Sequence, residues 1–279
     1  MNAQGPRLLA AAAGDSLGVS ASGAESAMPW FALPPSTGRS APSLSASATL
    51  PCMSQELALQ VYQQRSAMQA SSLGSYSATT LIRAQLPDTA QSAELQAQRH
   101  YTTPRSLQFK AVHFSGDGFV KSNVIARMLQ SEVDHVRKDD PALTALDSSN
   151  YKFSYKGVSQ LDGRPVHIYQ VKPQQKRVGL FKGRMYLDAH SGSLARVEGS
   201  IVKSPSFFVK KIDFTQDYAD FSGFTFPVRM HSDARARIIG RTVVDIDYRD
   251  YQPMPAAHQP SPTTPAMSRS FNRQAAIEN

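Results

Sequence analysis

The sequence predicts an α+β fold: one antiparallel sheet of about ten strands flanked by two amphipathic helices. Three observations predict it. From Tyr151 to Tyr251 the chain reads as strand after strand, apolar and polar residues alternating between short turns. Two upstream stretches, 54–72 and 119–138, carry apolar residues at helical spacing. Nowhere do strands and helices alternate as a parallel sheet requires.

Residues 1–53 are rich in Ala, Ser, Gly and Pro without sustained periodicity, as is the tail 253–279. Such segments bury too little apolar surface to offset their ordering entropy, so both are expected to be disordered around one folded domain, 54–252. Arg7 followed by LLAAAAG begins like the apolar core of an export signal, which Asp15 cuts short. ASG (Ala21 to Gly23) and ASA (Ala46 to Ala48) would serve as small-residue cleavage sites. With one cysteine, Cys52, no internal disulfide can form. Pro51 before it makes a poor acylation site, so it reads as an incidental thiol.

Ser54 is placed to cap a helix reaching about Ser72, with Leu57, Val61 and Met68 on one face beside Ala58 and Tyr62. Leu73-Gly74 ends it. Strands are then expected at Tyr76 to Leu86, Glu94 to Tyr101 and Ser106 to Ser115, forming a meander. After the turn Gly116-Asp117-Gly118, helical spacing returns. Val124, Ile125, Met128, Leu129, Val133 and Val136 make one stripe, and Asp139-Asp140-Pro141 stops it.

Beyond Tyr151 the clearest signal is the run Leu180 to Gly199. Met185 and Leu187 alternate with Arg184, Tyr186 and Asp188, then AHSGS turns the chain and Leu194 to Ile201 returns as a second strand. Before this hairpin, Tyr151, Phe153 and Tyr155 alternate, and Leu161-Asp162-Gly163-Arg164 forms a turn. Val166 and Ile168 oppose His167, Tyr169 and Val171. After it come strands at Phe207 to Tyr218, Phe224 to His231 and Arg235 to Tyr251. In the last, Asp245 and Asp247 share a face with Arg249, which reads as a solvated outer face rather than a carboxylate site.

Composition narrows function. The net charge is +8, and residues 151–251 hold seventeen basic against ten acidic side chains, so the excess lies on the strand-rich half. A solvated outer face is the favoured reading of that excess; contact with anionic lipid headgroups or nucleic acid is the alternative. No nucleic-acid partner is expected, because no reading element accompanies the charge. The seven histidines have no metal-ligand spacing. The chain has no GxSxG, phosphate loop or dinucleotide fingerprint, so neither enzyme activity nor a cofactor is expected.

Aromatic residues crowd one region: Phe207, Phe208, Phe214, Tyr218, Phe221, Phe224 and Phe226. Ordinary sheet core is the favoured reading. The alternative is a curved sheet whose apolar lining is partly unfilled and takes an acyl chain, gaining about 0.8 kcal/mol per buried methylene.

Several stretches together resemble the LolA-like group of periplasmic proteins: lipoprotein carriers, their lipoprotein-sorting relatives and the RseB/MucB regulators. They are YLDAHSGSLARVEG (Tyr186 to Gly199), DGRPVHIYQVKP (Asp162 to Pro173), GFTFPVRM (Gly223 to Met230), YTTPRSLQFKAV (Tyr101 to Val112) and SGDG (Ser115 to Gly118). The resemblance implies an open antiparallel half-barrel with helices over its concave face, located in the periplasm or cell envelope. It also implies a lipid or lipoprotein acyl chain as ligand or, in the regulator reading, a membrane-anchored protein partner. Where carriers place a basic residue before the early turn proline, this chain has Thr103, with Arg99 and Arg105 flanking. The residues expected to line the ligand space are Val124, Met128 and Leu129 as a lid, opposite Phe153, Tyr155, Met185, Leu187 and Phe214.

Overall fold

The structure, a computed structural model, describes residues 51–203, 209–237 and 239–256. The proposed export signal, Phe207, Phe208 and nearly all of both terminal segments lie outside them. Ten strands form a single open sheet, every neighbouring pair antiparallel. They are β1 (Leu73–Leu86), β2 (Gln91–Thr102), β3 (Ser106–Gly116), β4 (Tyr151–Leu161), β5 (Arg164–Pro173), β6 (Phe181–Asp188), β7 (Leu194–Ile201), β8 (Val209–Phe221), β9 (Phe224–Ala236) and β10 (Gly240–Pro255). Their order is β3-β2-β1-β10-β9-β8-β7-β6-β5-β4, so the chain's last strand closes the gap between its two halves and β3 and β4 are the edges. Register shifts in five of these pairs, such as Ser77/Thr79 against β10 and Asp217/Tyr218 against β9, bend the sheet as β-bulges do.

Register partners share a sheet face. One row therefore crosses all ten strands: Phe114, Leu95, Ile82, Ile246, Met230, Gln216, Val197, Met185, Tyr169 and Tyr155. Nine of the ten are apolar or aromatic, and the row is buried except at its two ends, where Phe114 is partly buried and Tyr155 is 37% exposed. This is the concave face. The opposite face carries ion pairs instead, among them Arg83–Asp247, Arg83–Glu94, His231–Asp245 and Arg241–Asp233. Asp245 and Asp247 thus lie on an outer charged surface, as their alternation predicts.

The first helix, Gln55–Ser72, starts at Ser54, whose hydroxyl accepts from Leu57 N at 3.2 Å. It turns straight into β1 at Leu73, three residues before the expected strand start. The second helical run, 118–138, opens on an Asp117 cap, passes through a π-helical turn at Lys121–Ala126 and ends as the α-helix Arg127–Lys138. Both helices join the same buried cluster as the concave row. No helix among the described residues is long and apolar enough to cross a membrane.

Three expectations need correcting. The first helix buries Ala58, Tyr62 and Gln69, not the stripe of Leu57, Val61 and Met68; Leu57 is 46% and Met68 60% exposed. The reason is its seat, described below, which is narrow and lined by backbone groups. The last strand, expected to start at Arg235, starts at Gly240, and Arg235 and Ala236 belong to β9. The turn there contains no Asn, Asp or Pro; Gly240 takes a positive φ of 74° and Arg241 N donates to Asp88 Oδ2 at 2.9 Å. Last, β8 runs to Phe221 rather than Tyr218.

Candidate functional site

The concave face is closed by two helices in two different ways. The second is seated on β1, β2 and β3. Its stripe is buried as expected: Val124, Ile125, Met128 and Val136 are at most 8% exposed, and Leu129 and Val133 pack against the core. Beneath it lies Arg99, 2% exposed and in phase with Leu95, Ala97 and Tyr101 on the inner face of β2. Arg99 Nη2 meets Glu132 of this helix at 2.7 Å, and its Nε donates to the Tyr76 hydroxyl at 3.0 Å. The guanidinium also stands over the rings of Tyr76, Phe109 and Tyr248, 5.3–5.9 Å from their centroids. Burial works against its charge, but Glu132 and the surrounding oxygens hold it well above the ordinary arginine value.

The first helix lies along the sheet rim that carries the β6–β7 and β8–β9 turns. Hydrogen bonds run along its length, on either side of the buried Ala58 and Tyr62. At its start, Met53 N donates to Ala189 O at 2.7 Å, His167 Nε2 is 3.0 Å from Met53 O, and the Tyr169 hydroxyl donates to Gln55 O at 2.5 Å. Burial pushes the Tyr169 hydroxyl up to about 12, so it stays a donor at neutral pH. In the middle, Ala58 and Val61 rest against Gly192, whose positive φ of 66° carries the hairpin turn. A Cβ on Gly192 would come within 2.8 Å of Val61 Cγ1. Tyr62 reaches inward and donates to Leu146 O at 3.0 Å. Near its end, the Gln69 amide accepts from Thr225 N at 2.8 Å and donates to Thr225 O at 3.0 Å.

The residues expected to face one another fall into two groups within one core. Val124, Met128 and Leu129 belong to the β1–β3 wing. Met185, Leu187 and Phe214 are buried on β6 and β8, with Phe153 half-buried and Tyr155 exposed at the β4 edge. The separation arises because the second helix follows β3 directly and packs on the strands next to it. Within the second wing, Gly183 and Gly199 pair directly and their backbones approach too closely for a Cβ; the Phe181 and Phe214 rings meet edge to face nearby, 5.3 Å apart.

Sequence reasoning missed the Arg99–Glu132 pair and the polar seat of the first helix. The first had a signal, because strand phase places Arg99 inward. The second had little, because its partners are mainly backbone groups in turns. Among the described residues, no three His, Cys, Asp or Glu side chains stand close enough to hold a metal.

Neither a family model nor a curated protein matches the sequence. Solved structures do. A LolA superfamily protein from Nitrosomonas europaea matches at 12% identity over 71% of this chain and 92% of that one, with a TM-score of 0.35. An outer membrane lipoprotein-sorting protein domain from Vibrio parahaemolyticus matches at 13% identity over 71% and 93%, with a TM-score of 0.39. The MucA/MucB complex of Pseudomonas aeruginosa matches at 12% identity over 72% and 100%, with a TM-score of 0.24. At these scores the likeness carries no functional argument.

Proposed function

We propose that this chain is a non-enzymatic binding protein of the periplasm or cell envelope. It holds a lipid, a lipoprotein acyl group or another hydrophobic ligand against the concave face of its sheet. The observation that carries this reading is the unequal closure of that face. An apolar row broken only by Gln216 crosses the sheet, yet the helix along one rim buries just Ala58, Tyr62 and Gln69, is tied down by hydrogen bonds along its length and leaves its own Leu57 and Met68 in solvent. Each such bond is worth only about 1 kcal/mol net, so the helix can lift without opening the whole core. In this reading the ligand lies on the β4–β8 half, against Phe153, Tyr155, Met185, Leu187 and Phe214. Val124, Met128 and Leu129 seal the other end. Met185 and Met128 are adaptable walls for chains of different shape.

The test is organic extraction of the protein purified from its own host, followed by lipid mass spectrometry. A stoichiometric lipid supports the reading; a lipid-free protein that also fails to take up palmitate counts against it.

A second reading, a regulator acting on a protein partner, draws on the β4 edge. Among the described residues no strand pairs with its outer side, and Tyr155 and Val158 are 37% and 60% exposed there, open to an added strand from a partner. Capture of one membrane-anchored protein by the wild type, and not by Val158→Asp, would favour it.

A further inference from the structure

We propose that the sheet end opposite the first helix docks on a membrane surface of anionic phospholipid. The basis is a group of lysines on the outer face where β4 starts, β5 ends and β6 starts. Lys152 and Lys172 are direct register partners, a like-charge pair that costs stability where it stands. Lys182 precedes Gly183, the partner of Val171, and so stands beside Lys172 on the same face. Val202 N donates to Leu180 O at 3.0 Å, which brings exposed Lys203 to this end, and the 174–180 loop adds exposed Lys176. None of these five ammonium groups is ion-paired among the described residues. The nearby acids are engaged elsewhere. Asp213 is held by Lys211 at 2.6 Å, Asp147 accepts from Ser149 N at 3.0 Å, and Asp140 accepts from Ala142 N at 2.9 Å.

A second, independent observation selects the partner. Two apolar side chains stand exposed at the same end, Leu143 at 42% and Val178 at 36%. They are held together, because Arg177 Nη1 donates to Leu143 O at 3.1 Å and Gly179 lies against Thr144. Lysines around short apolar tips on a rigid sheet end fit a bilayer, where headgroup phosphates attract the cations and the interface accepts the tips. A nucleic acid would satisfy the charge but would leave Leu143 and Val178 without a role. The placement is independent of what the concave face holds, and it orients the first helix away from the bilayer.

The experiment is co-sedimentation of the full-length protein with vesicles of phosphatidylcholine alone, or of phosphatidylcholine with about one quarter phosphatidylglycerol. Binding is expected to the anionic vesicles only, and to disappear as salt rises to about 0.5 M. Lys152→Gln with Lys172→Gln should weaken it about 25-fold, at roughly 5-fold per lysine, without lowering the melting temperature. Leu143→Ser with Val178→Ser should weaken it further, whereas Lys110→Gln, exposed on the opposite edge strand β3, should not change it. Equal uptake by neutral vesicles, or anionic binding that survives the lysine double variant, overturns the proposal. So does retention on heparin without any vesicle binding.

Discussion

The two helices over the concave face differ in what holds them. The 118–138 run presents an apolar stripe to β1–β3 and anchors it with a buried ion pair, Arg99–Glu132, 3% and 17% exposed at the two side chains. The first helix buries Ala58, Tyr62 and Gln69 and is otherwise tied to turns and strand ends by hydrogen bonds. A stripe in a packed groove resists partial separation, because any gap forfeits dispersion contacts along its length. Individual hydrogen bonds contribute only about 1 kcal/mol net each, even where, as at Gln69 and Tyr62, they are buried. Both helices reach the core, and the first is expected to open at lower cost than the second.

Breaking the anchored side should have the largest effect. Glu132→Leu leaves Arg99 buried without its carboxylate and should cost about 3 kcal/mol or more in denaturant unfolding. Adding Arg99→Met should restore much of that loss, since replacing both partners removes the uncompensated charge. On the other side, Gln69→Ala strips two hydrogen bonds from Thr225 and should cost about 1–3 kcal/mol. It should also speed exchange of the first helix's amides while sparing 127–138. Ser54→Ala removes the cap at the start of the same helix and should cost about 1 kcal/mol, read by the same two measurements.

The smallest expected effect is on the turn under the first helix. Burial opposes ionisation of Asp188, but the hydroxyl and amide of Ser191 and the amide of His190 outweigh it, holding the carboxyl below the ordinary aspartate value of 3.8. A depressed carboxylate contributes stability above its unfolded value and loses it as pH falls through the folded one. The contribution should hold at neutral pH and fade below about pH 4, and Asp188→Asn should flatten the acid limb of stability against pH.

Alternation and helical spacing were enough to read most of the fold. Tyr151–Phe153–Tyr155 and Met185–Leu187 gave strand phase, Asp162-Gly163 took positive φ values of 51° and 77° in the β4–β5 turn, and the Val124-to-Val136 stripe is buried as drawn. What alternation does not encode is which helix face wins when the seat is made of backbone. Leu57 and Met68 are more hydrophobic than Gln69, yet Gln69 is buried because the Thr225 N–H and C=O need partners there. Arg99 was legible by phase. Charge alone argued for an outer position, and a buried arginine makes sense only once Glu132 and the aromatic rings around it are in place.

The most direct measurement is amide hydrogen exchange of the whole chain with and without palmitate. The predicted result is that residues 55–72 exchange well before 127–138 in the free protein, and that palmitate slows 55–72 while leaving 127–138 unchanged. Equal protection of both helices, unaffected by palmitate, would contradict it and make the first helix as much a part of the core as the second.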